Sequence, residues 1–142
     1  MPSFIAAIGI IELKKWHKHK KLRTKYLIHL IRLFQKYQIK IPNSYLNENL
    51  KIIPLRFVWL NESKYLTIKK MDSFVDTSSF WFKKPIIATE ESLLKFNYIK
   101  GMCPKSEFMS KKIYNIPCNL NEKDFFKLLN KLEMILEKSY NR

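Results

Sequence analysis

Apolar residues in the first quarter of the chain recur at the spacing of an α-helix. Residues 4–37 contain no proline and one glycine. Two series of apolar or small residues stand three or four positions apart: Ile5, Gly9, Leu13 and Trp16, and then Leu22, Tyr26, Leu30, Leu33 and Tyr37. This spacing places each series on one face of a helix. We therefore predict one long helix whose apolar face is covered by the rest of the chain.

Two features of this helix leave alternatives open. Residues 17–21, HKHKK, interrupt the apolar series for about one turn, so a kink between two helical segments is one alternative to a continuous helix. Ala6, Ala7 and Gly9 are small side chains within about one turn, and they would let another backbone approach closely. Ordinary close packing is the simpler interpretation of these residues, and a junction between domains or subunits is the functional one.

The remaining pattern predicts a small sheet between helices. Branched and aromatic residues indicate strands at residues 51–60, 74–82 and 113–117, and Pro54 should place any break near the start of the first. Helices are predicted at residues 64–71, 104–112 and 121–140, with Pro104 opening the second and Asn121 beginning the third. A short helical turn is predicted at residues 88–96, with Thr89 as its N-cap. We expect one α/β domain over residues 1–142, in which helices cover a small sheet.

The net charge is +15, which ordinarily points to nucleic acid or an acidic membrane surface. However, 23 of the 27 basic residues are lysines, whereas phosphate and base recognition favours arginine. Lys, Ile and Asn make up about a third of the chain, as an AT-rich coding sequence would produce, and the lysines are spread along the sequence. We interpret the charge as mainly compositional.

The sequence offers little catalytic chemistry. His17 and His19 lie two positions apart and face different directions on a helix, so we expect these two and His29 to be solvated rather than metal ligands. Cys103 precedes a predicted helix start, where a thiolate can be stabilised, but a packed structural cysteine is the simpler interpretation. Cys118 is likewise expected to be reduced. With two glycines in the chain there is no phosphate loop or dinucleotide fingerprint.

Four segments resemble the C-terminal domain of the DegT/DnrJ family of PLP-dependent sugar aminotransferases. AAIGIIEL at residues 6–13 is similar to the family's Ala-Ala-x-Gly-x-x-Gln-Leu run, with Glu12 where Gln is usual. Residues 101–117 resemble its Cys-Pro-x-Ala-Glu helix and Leu-Pro strand end, with Ser106 for Ala and Ile116 for Leu. LRFVWL at residues 55–60 looks like the first small-domain strand, and residues 121–136 look like the terminal helix. The segments occur in the family's order.

The resemblance implies a small domain without its catalytic partner. In this family the large N-terminal domain holds PLP and supplies the lysine that binds it, so we expect this chain to bind no cofactor alone, to contain no catalytic residue and to be inactive by itself. Met1 looks like an internal methionine of a longer ancestral protein. The expected partner is a separately encoded PLP-binding domain or a second copy. The substrate-facing positions that the resemblance suggests are Ser79, Phe80, Trp81, Phe82, Lys83 and Lys84.

Other functions remain as alternatives. Core packing is the structural interpretation of the three aromatic residues at positions 80–82. A small basic nucleic-acid-binding protein is the alternative from another class. Binding to a membrane surface is disfavoured because the apolar face of the first helix would be needed for the core. No long apolar run or secretory signal is present, so we expect a cytoplasmic protein. The spacing of the histidines and cysteines matches no metal site, so we expect none.

Overall fold

A single unbroken helix of 34 residues begins the fold. A computed structural model describes residues 3–62, 64–71, 75, 84–86 and 91–140 of the chain. The first helix, α1, runs over Ser3–Lys36, which corresponds to a length of about 51 Å at 1.5 Å per residue. The helix continues through residues 17–21, so the kink that the lapse in the apolar series allowed does not occur. Helical backbone tolerates a polar turn, because lysine is a good helix former.

The described residues form two strands and three further α-helices. Strand β1 is Arg56–Leu60 and strand β2 is Ile113–Pro117. The helices are α2 (Lys64–Met71), α3 (Pro104–Lys112) and α4 (Glu122–Tyr140). Two short 3₁₀ helices cover Asn43–Leu46 and Leu93–Phe96.

The strands pair antiparallel, with Phe57 opposite Ile116 and Trp59 opposite Tyr114. The pairing continues beyond both strand ends: the backbone N–H of Asn61 donates to the Lys112 carbonyl at 2.8 Å, and that of Cys118 to the Leu55 carbonyl at 3.0 Å. Because α3 runs directly into β2, this register fixes the position of α3 beside the end of β1.

The core lies where α1, α4 and one face of the sheet meet. Tyr26 of α1 stacks on Phe125 of α4 at a ring-centroid distance of 3.8 Å, and its hydroxyl donates to the Leu120 carbonyl at 3.2 Å. Phe34 packs between the rings of Phe57 and Trp59 at 5.0 and 4.8 Å. Aromatic side chains from three elements therefore join the C-terminal part of α1 to the sheet and to α4.

Helix α4 is the amphipathic helix that the sequence predicts. Its start is capped by Asn121, whose side-chain oxygen accepts from the Asp124 N–H at 2.9 Å. One face is buried in the core, through Phe125, Leu128, Leu132, Ile135 and Leu136. At its edge, Lys36 of α1 forms an ion pair with Glu133 at 2.6 Å, and Lys25 pairs with Glu122.

The predicted fold class is confirmed, since helices cover a small sheet between a long N-terminal and an amphipathic C-terminal helix. Helices α2 and α3 and strand β2 span the predicted residues. Strand β1 begins at residue 56 rather than 51, after Pro54, which cannot donate to a ladder. The strand predicted at 74–82 lies outside the described residues except for Val75. Of the helical turn predicted at 88–96, the described residues form the 3₁₀ helix Leu93–Phe96, which Ser92 caps in place of Thr89.

The prediction that the chain covers the whole apolar face of α1 is wrong for its N-terminal part. Tyr26, Leu27, Leu30, Leu33 and Phe34 are buried, but every residue from 3 to 18 is exposed. The reason is geometric: α4 and the sheet reach only the C-terminal part of a helix that is longer than they are. We call residues 3–18 the α1 arm.

Candidate functional site

Over residues 4–11 the α1 arm is apolar on all sides. The large apolar side chains of the arm have between 41% and 71% of their surface exposed; they are Phe4, Ile5, Ile8, Ile10, Ile11, Leu13 and Trp16. Helices that are apolar all round are ordinarily buried on more than one side. A free-standing helix of the arm's length, about 24 Å, is also marginally stable in water. Both facts make the arm a candidate contact surface.

Basic residues follow the apolar segment directly. Lys14, Lys15, Lys18, Lys20 and Lys21 occupy the next two turns, and within the arm only Glu12 is acidic. Glu12 pairs with Lys15 at 2.9 Å, and this hydrogen bond and charge lower the pKa of the Glu12 carboxyl. The arm therefore carries an apolar end and a positively charged base.

A shallow depression lies at the base of the arm. It has a volume of about 490 Å³ and is lined by residues of α1 from Gly9 to Arg23 and by Asn119. The Arg23 guanidinium stands over the Trp16 ring at 5.8 Å from its centroid, at the long end of the range for a cation–π contact. Gly9 has open space beside its α-carbon, since no neighbouring side chain lies within 4 Å of the position that a β-carbon would take. Ala6, Ala7 and Gly9 thus lie on a surface that another backbone can approach, and the described residues do not close-pack against them.

A second concave site lies beside α3, and we call it the lysine pocket. It has a volume of about 560 Å³. Lysines line it from three separate parts of the chain: Lys84, Lys100 and Lys111. Its other lining residues are Ser92, Tyr98, Glu107 and Ser110, with Pro85, Leu93 and Leu94 forming an apolar wall.

Hydrogen bonds fix the loop that forms one side of the lysine pocket. The Glu107 carboxylate accepts from the Tyr98 hydroxyl at 2.9 Å and from the Gly101 N–H at 2.6 Å. The Tyr98 hydroxyl in turn accepts from the Cys103 N–H at 3.2 Å. Gly101 has φ of 97°, a left-handed conformation that glycine adopts without steric cost.

The charge of Glu107 is stabilised by these contacts. The Gly101 N–H is the main cause of a lowered pKa of the Glu107 carboxyl, followed by the Tyr98 hydroxyl and by the positive charges of Lys100 and Lys111. The carboxylate is therefore ionised at neutral pH. Both hydrogen bonds end on Oε1, so the carboxylate holds the loop in place and also offsets part of the lysine charge in the pocket.

Of the six predicted substrate-facing residues, the structure describes one. Ser79, Phe80, Trp81, Phe82 and Lys83 lie outside the described residues. Lys84 is half-buried, lines the lysine pocket and donates from its ammonium group to the Glu91 carbonyl at 2.7 Å. Lys100 and Lys111 could not be predicted from the sequence, because their spacing from Lys84 matches no motif and only the fold brings the three together.

The histidine and cysteine predictions have mixed outcomes. His17 is exposed, whereas His19 is half-buried and lines the depression at the base of the arm. His29 is also half-buried, with its ring edge-on to Phe126 at 5.2 Å. Both cysteines are free thiols. The prediction that Cys103 is packed is wrong: it is exposed, because it caps the start of α3 at the surface. Cys118 is buried, and burial raises the pKa of its thiol to about 12.

The part of the chain that the structure describes contains no group of three or more His, Cys, Asp or Glu side chains placed to hold a metal ion. None of its helices combines the length and the apolar run needed to cross a bilayer. Comparison with models of protein families, with curated proteins and with solved structures finds no match for this chain.

Proposed function

We propose that this chain is the small, C-terminal domain of a DegT/DnrJ-like nucleotide-sugar aminotransferase, inactive alone, and that the α1 arm docks on a PLP-binding domain. The observation that carries the proposal is the exposure of the arm. The arm contains the AAIGIIEL segment on which the family resemblance is based, and its apolar side chains need a cover that the described chain does not supply. A domain that normally packs against a larger one would have such a surface.

The other resembling segments also have local roles that suit a folded small domain. Cys103 and Pro104 form the start of α3, with proline in the first helical turn, where its missing N–H costs nothing. Glu107 holds the preceding loop through the Gly101 N–H. Ile116 and Pro117 end the strand that pairs with β1. These features support the resemblance independently of the arm.

We also propose that the chain is catalytically inactive by itself. Transamination requires a lysine that binds PLP, an acid that keeps the pyridine nitrogen protonated and a cradle for the phosphate. The resemblance assigns none of these to a residue of this chain. We therefore expect that PLP added to the pure protein is not trapped by borohydride on one lysine at a one-to-one ratio, and that glutamate and a nucleotide keto-sugar give no amino sugar.

The docking test begins with the DNA upstream of this gene. Translation in all frames should reveal an open or formerly open frame for a PLP-binding domain; an unrelated gene ending cleanly there would contradict the proposal. That domain, with any disrupted frame repaired, is then co-expressed with this chain, and complex formation is measured by sedimentation velocity. Ile8→Glu/Ile11→Glu should abolish the complex, because it places two charges on one face of the arm.

The control for this test is Leu50→Glu/Met134→Glu. Leu50 and Met134 are 49% and 58% exposed, close to the 54% and 51% of Ile8 and Ile11, but they lie outside the arm. The control should leave the complex intact. Equal loss in both variants, or no complex with the unmodified chain, would overturn docking through the arm.

A nucleic-acid-binding protein remains the second candidate, favoured by the exposed lysines at the base of the arm. We expect binding to duplex DNA to be weak, unselective and lost at about 0.15 M salt, because scattered lysines contribute mainly counterion release. Submicromolar, sequence-selective binding at that salt would favour this candidate instead.

A membrane surface is the other cover to test. The apolar side chains of the arm are exposed, so the core does not need them and they are free to contact a membrane surface. Vesicles of phosphatidylcholine with and without phosphatidylserine therefore belong in the same experiment. Retention of the chain on the anionic vesicles, lost with Ile8→Glu/Ile11→Glu, would replace the proposed protein partner by a membrane.

A further inference from the structure

The lysine pocket brings three lysines from separate parts of the chain to one cavity. Some lysines elsewhere in the described chain pair with a single carboxylate, as Lys112 does with Glu62 at 2.6 Å and Lys95 with Glu91 at 3.3 Å. Within the same described residues, Lys84, Lys100 and Lys111 make no ion pair, although all three line one cavity. Like charges that share a concave site repel each other, and an anion bound between them removes that cost.

The charge balance of the pocket sets the charge of the ligand. Among the described lining residues, three lysines and the ionised Glu107 leave a net charge of about +2, and Oε1 of the carboxylate already accepts from Tyr98 and Gly101. A phosphate ester carries close to two negative charges at neutral pH, and a diphosphate carries at least two. Lysine is a common phosphate ligand because its ammonium acts as a compact point charge.

The shape of the pocket favours a small molecule over a polymer. A volume of about 560 Å³ lies within the roughly 300–1,000 Å³ of small-molecule sites. Pro85, Leu93 and Leu94 form an apolar wall on which a ring can lie. The loop beside the pocket is fixed before any ligand binds, since Asn97 ends the 3₁₀ helix in a left-handed conformation and Glu107 holds Gly101. Preorganisation of this kind reduces the ordering cost of binding.

We propose that the lysine pocket binds a small phosphorylated molecule, whose phosphate or diphosphate contacts Lys84, Lys100 and Lys111 and whose remaining part lies on Pro85, Leu93 and Leu94. The inference does not depend on the docking of the α1 arm, because it concerns a different face and needs no second protein.

The test uses inorganic pyrophosphate and uridine diphosphate as probes on the chain alone, at about 0.15 M salt, where unspecific charge attraction is screened. Isothermal titration should give saturable one-to-one binding, with uridine diphosphate bound more tightly than pyrophosphate because of the apolar wall. Amide chemical shifts should change within residues 92–111. Absence of saturable binding to either probe would overturn the proposal.

A matched pair of variants separates the pocket from the general charge. Lys100→Gln/Lys111→Gln removes two pocket lysines, and Lys105→Gln/Lys123→Gln removes two exposed lysines of α3 and α4 that do not line it. The first should weaken binding at least about tenfold, and the second less than about twofold. Equal losses in both, or displacement of the probes by an unrelated DNA duplex at equal phosphate concentration, would show unspecific binding and overturn the proposal.

Discussion

The two halves of α1 have comparable apolar content and opposite environments. Between residues 26 and 34, five apolar side chains are buried against α4 and the sheet, namely Tyr26, Leu27, Leu30, Leu33 and Phe34, whereas the side chains of the α1 arm are exposed. The buried half is amphipathic, with polar residues such as Arg32 and Gln35 facing solvent. The arm has no polar face over residues 4–11. The described chain therefore covers one half and leaves the other exposed, as the proposed docking of the α1 arm requires.

This comparison also separates stability from function. The buried half contributes to folding through apolar area removed from water, about 25 cal/mol per Å². The arm contributes little of this kind until it is covered. Substitutions in the buried half should therefore change the free energy of unfolding, whereas substitutions in the α1 arm should change association.

The largest expected effect is on the free energy of unfolding. Leu30 is fully buried, so Leu30→Ala should lower it by about 2–5 kcal/mol. Ile10 is 55% exposed, so Ile10→Ala should change it by less than about 0.5 kcal/mol. Urea unfolding of the dilute protein measures both. If the two substitutions cost the same, the arm is packed in the isolated chain and the comparison fails.

Self-association is the next effect. Uncovered apolar patches drive association, so the pure chain should associate at tens of micromolar and bind a hydrophobic dye. Ile8→Glu/Ile11→Glu should weaken the association at least about tenfold in sedimentation velocity, about 1.4 kcal/mol, and Leu50→Glu/Met134→Glu should change it little. A tight monomer at high concentration, without dye binding, would indicate a domain that has evolved to stand alone.

The third effect is a pH dependence of stability that comes from Cys118. Its thiol is close enough to Arg23 of α1 for that positive charge to affect its pKa. Burial raises the pKa of the Cys118 thiol from 9.0 to about 12 in the folded protein. The resulting contribution to the free energy of unfolding is fully present below pH 9 and is lost as the pH rises toward 12. Relative to Cys118→Ala, the free energy of unfolding should fall by about 1.4 kcal/mol per pH unit above pH 9. Urea unfolding at several pH values measures this, and parallel profiles for the two proteins would contradict it.

The smallest effect concerns the ion pairs. Lys25 and Glu122 link α1 to α4 but are about half exposed, so Lys25→Met should cost less than about 1 kcal/mol and the loss should disappear in high salt. Lys15→Met, which removes the Glu12 pair within the arm, should leave the unfolding midpoint unchanged. A salt-independent loss above about 2 kcal/mol for Lys25→Met would mean that this contact is far less hydrated than its exposure indicates.

The elements that local pattern controls could be predicted from sequence. Spacing and capping residues located α1, α3 and α4, because Pro104 and Asn121 act within one turn of themselves. Pro54 indicated a break near the start of the strand predicted from residue 51, and β1 begins after it. The predicted kink alternative failed because a break in hydrophobic periodicity does not break backbone hydrogen bonds.

What depends on distant residues could not be predicted. Periodicity shows that the two faces containing Leu13 and Leu30 are apolar, but not that the covering elements reach only the second of them. The lysine pocket joins Lys84 to Lys100 and Lys111 through a fold whose loops have no local signature. The exposure of Cys103 follows from where α3 begins relative to the surface, which the sequence around it does not encode.

Amide hydrogen exchange along α1 tests the central claim most directly. In the dilute monomer, amides of residues 7–16 should exchange with little protection, while those of residues 26–34 should be protected to nearly the free energy of global unfolding. Addition of the PLP-binding domain should raise protection in the first group only. Uniform protection along α1 in the dilute monomer, or no change in residues 7–16 when the partner is bound, would contradict the account.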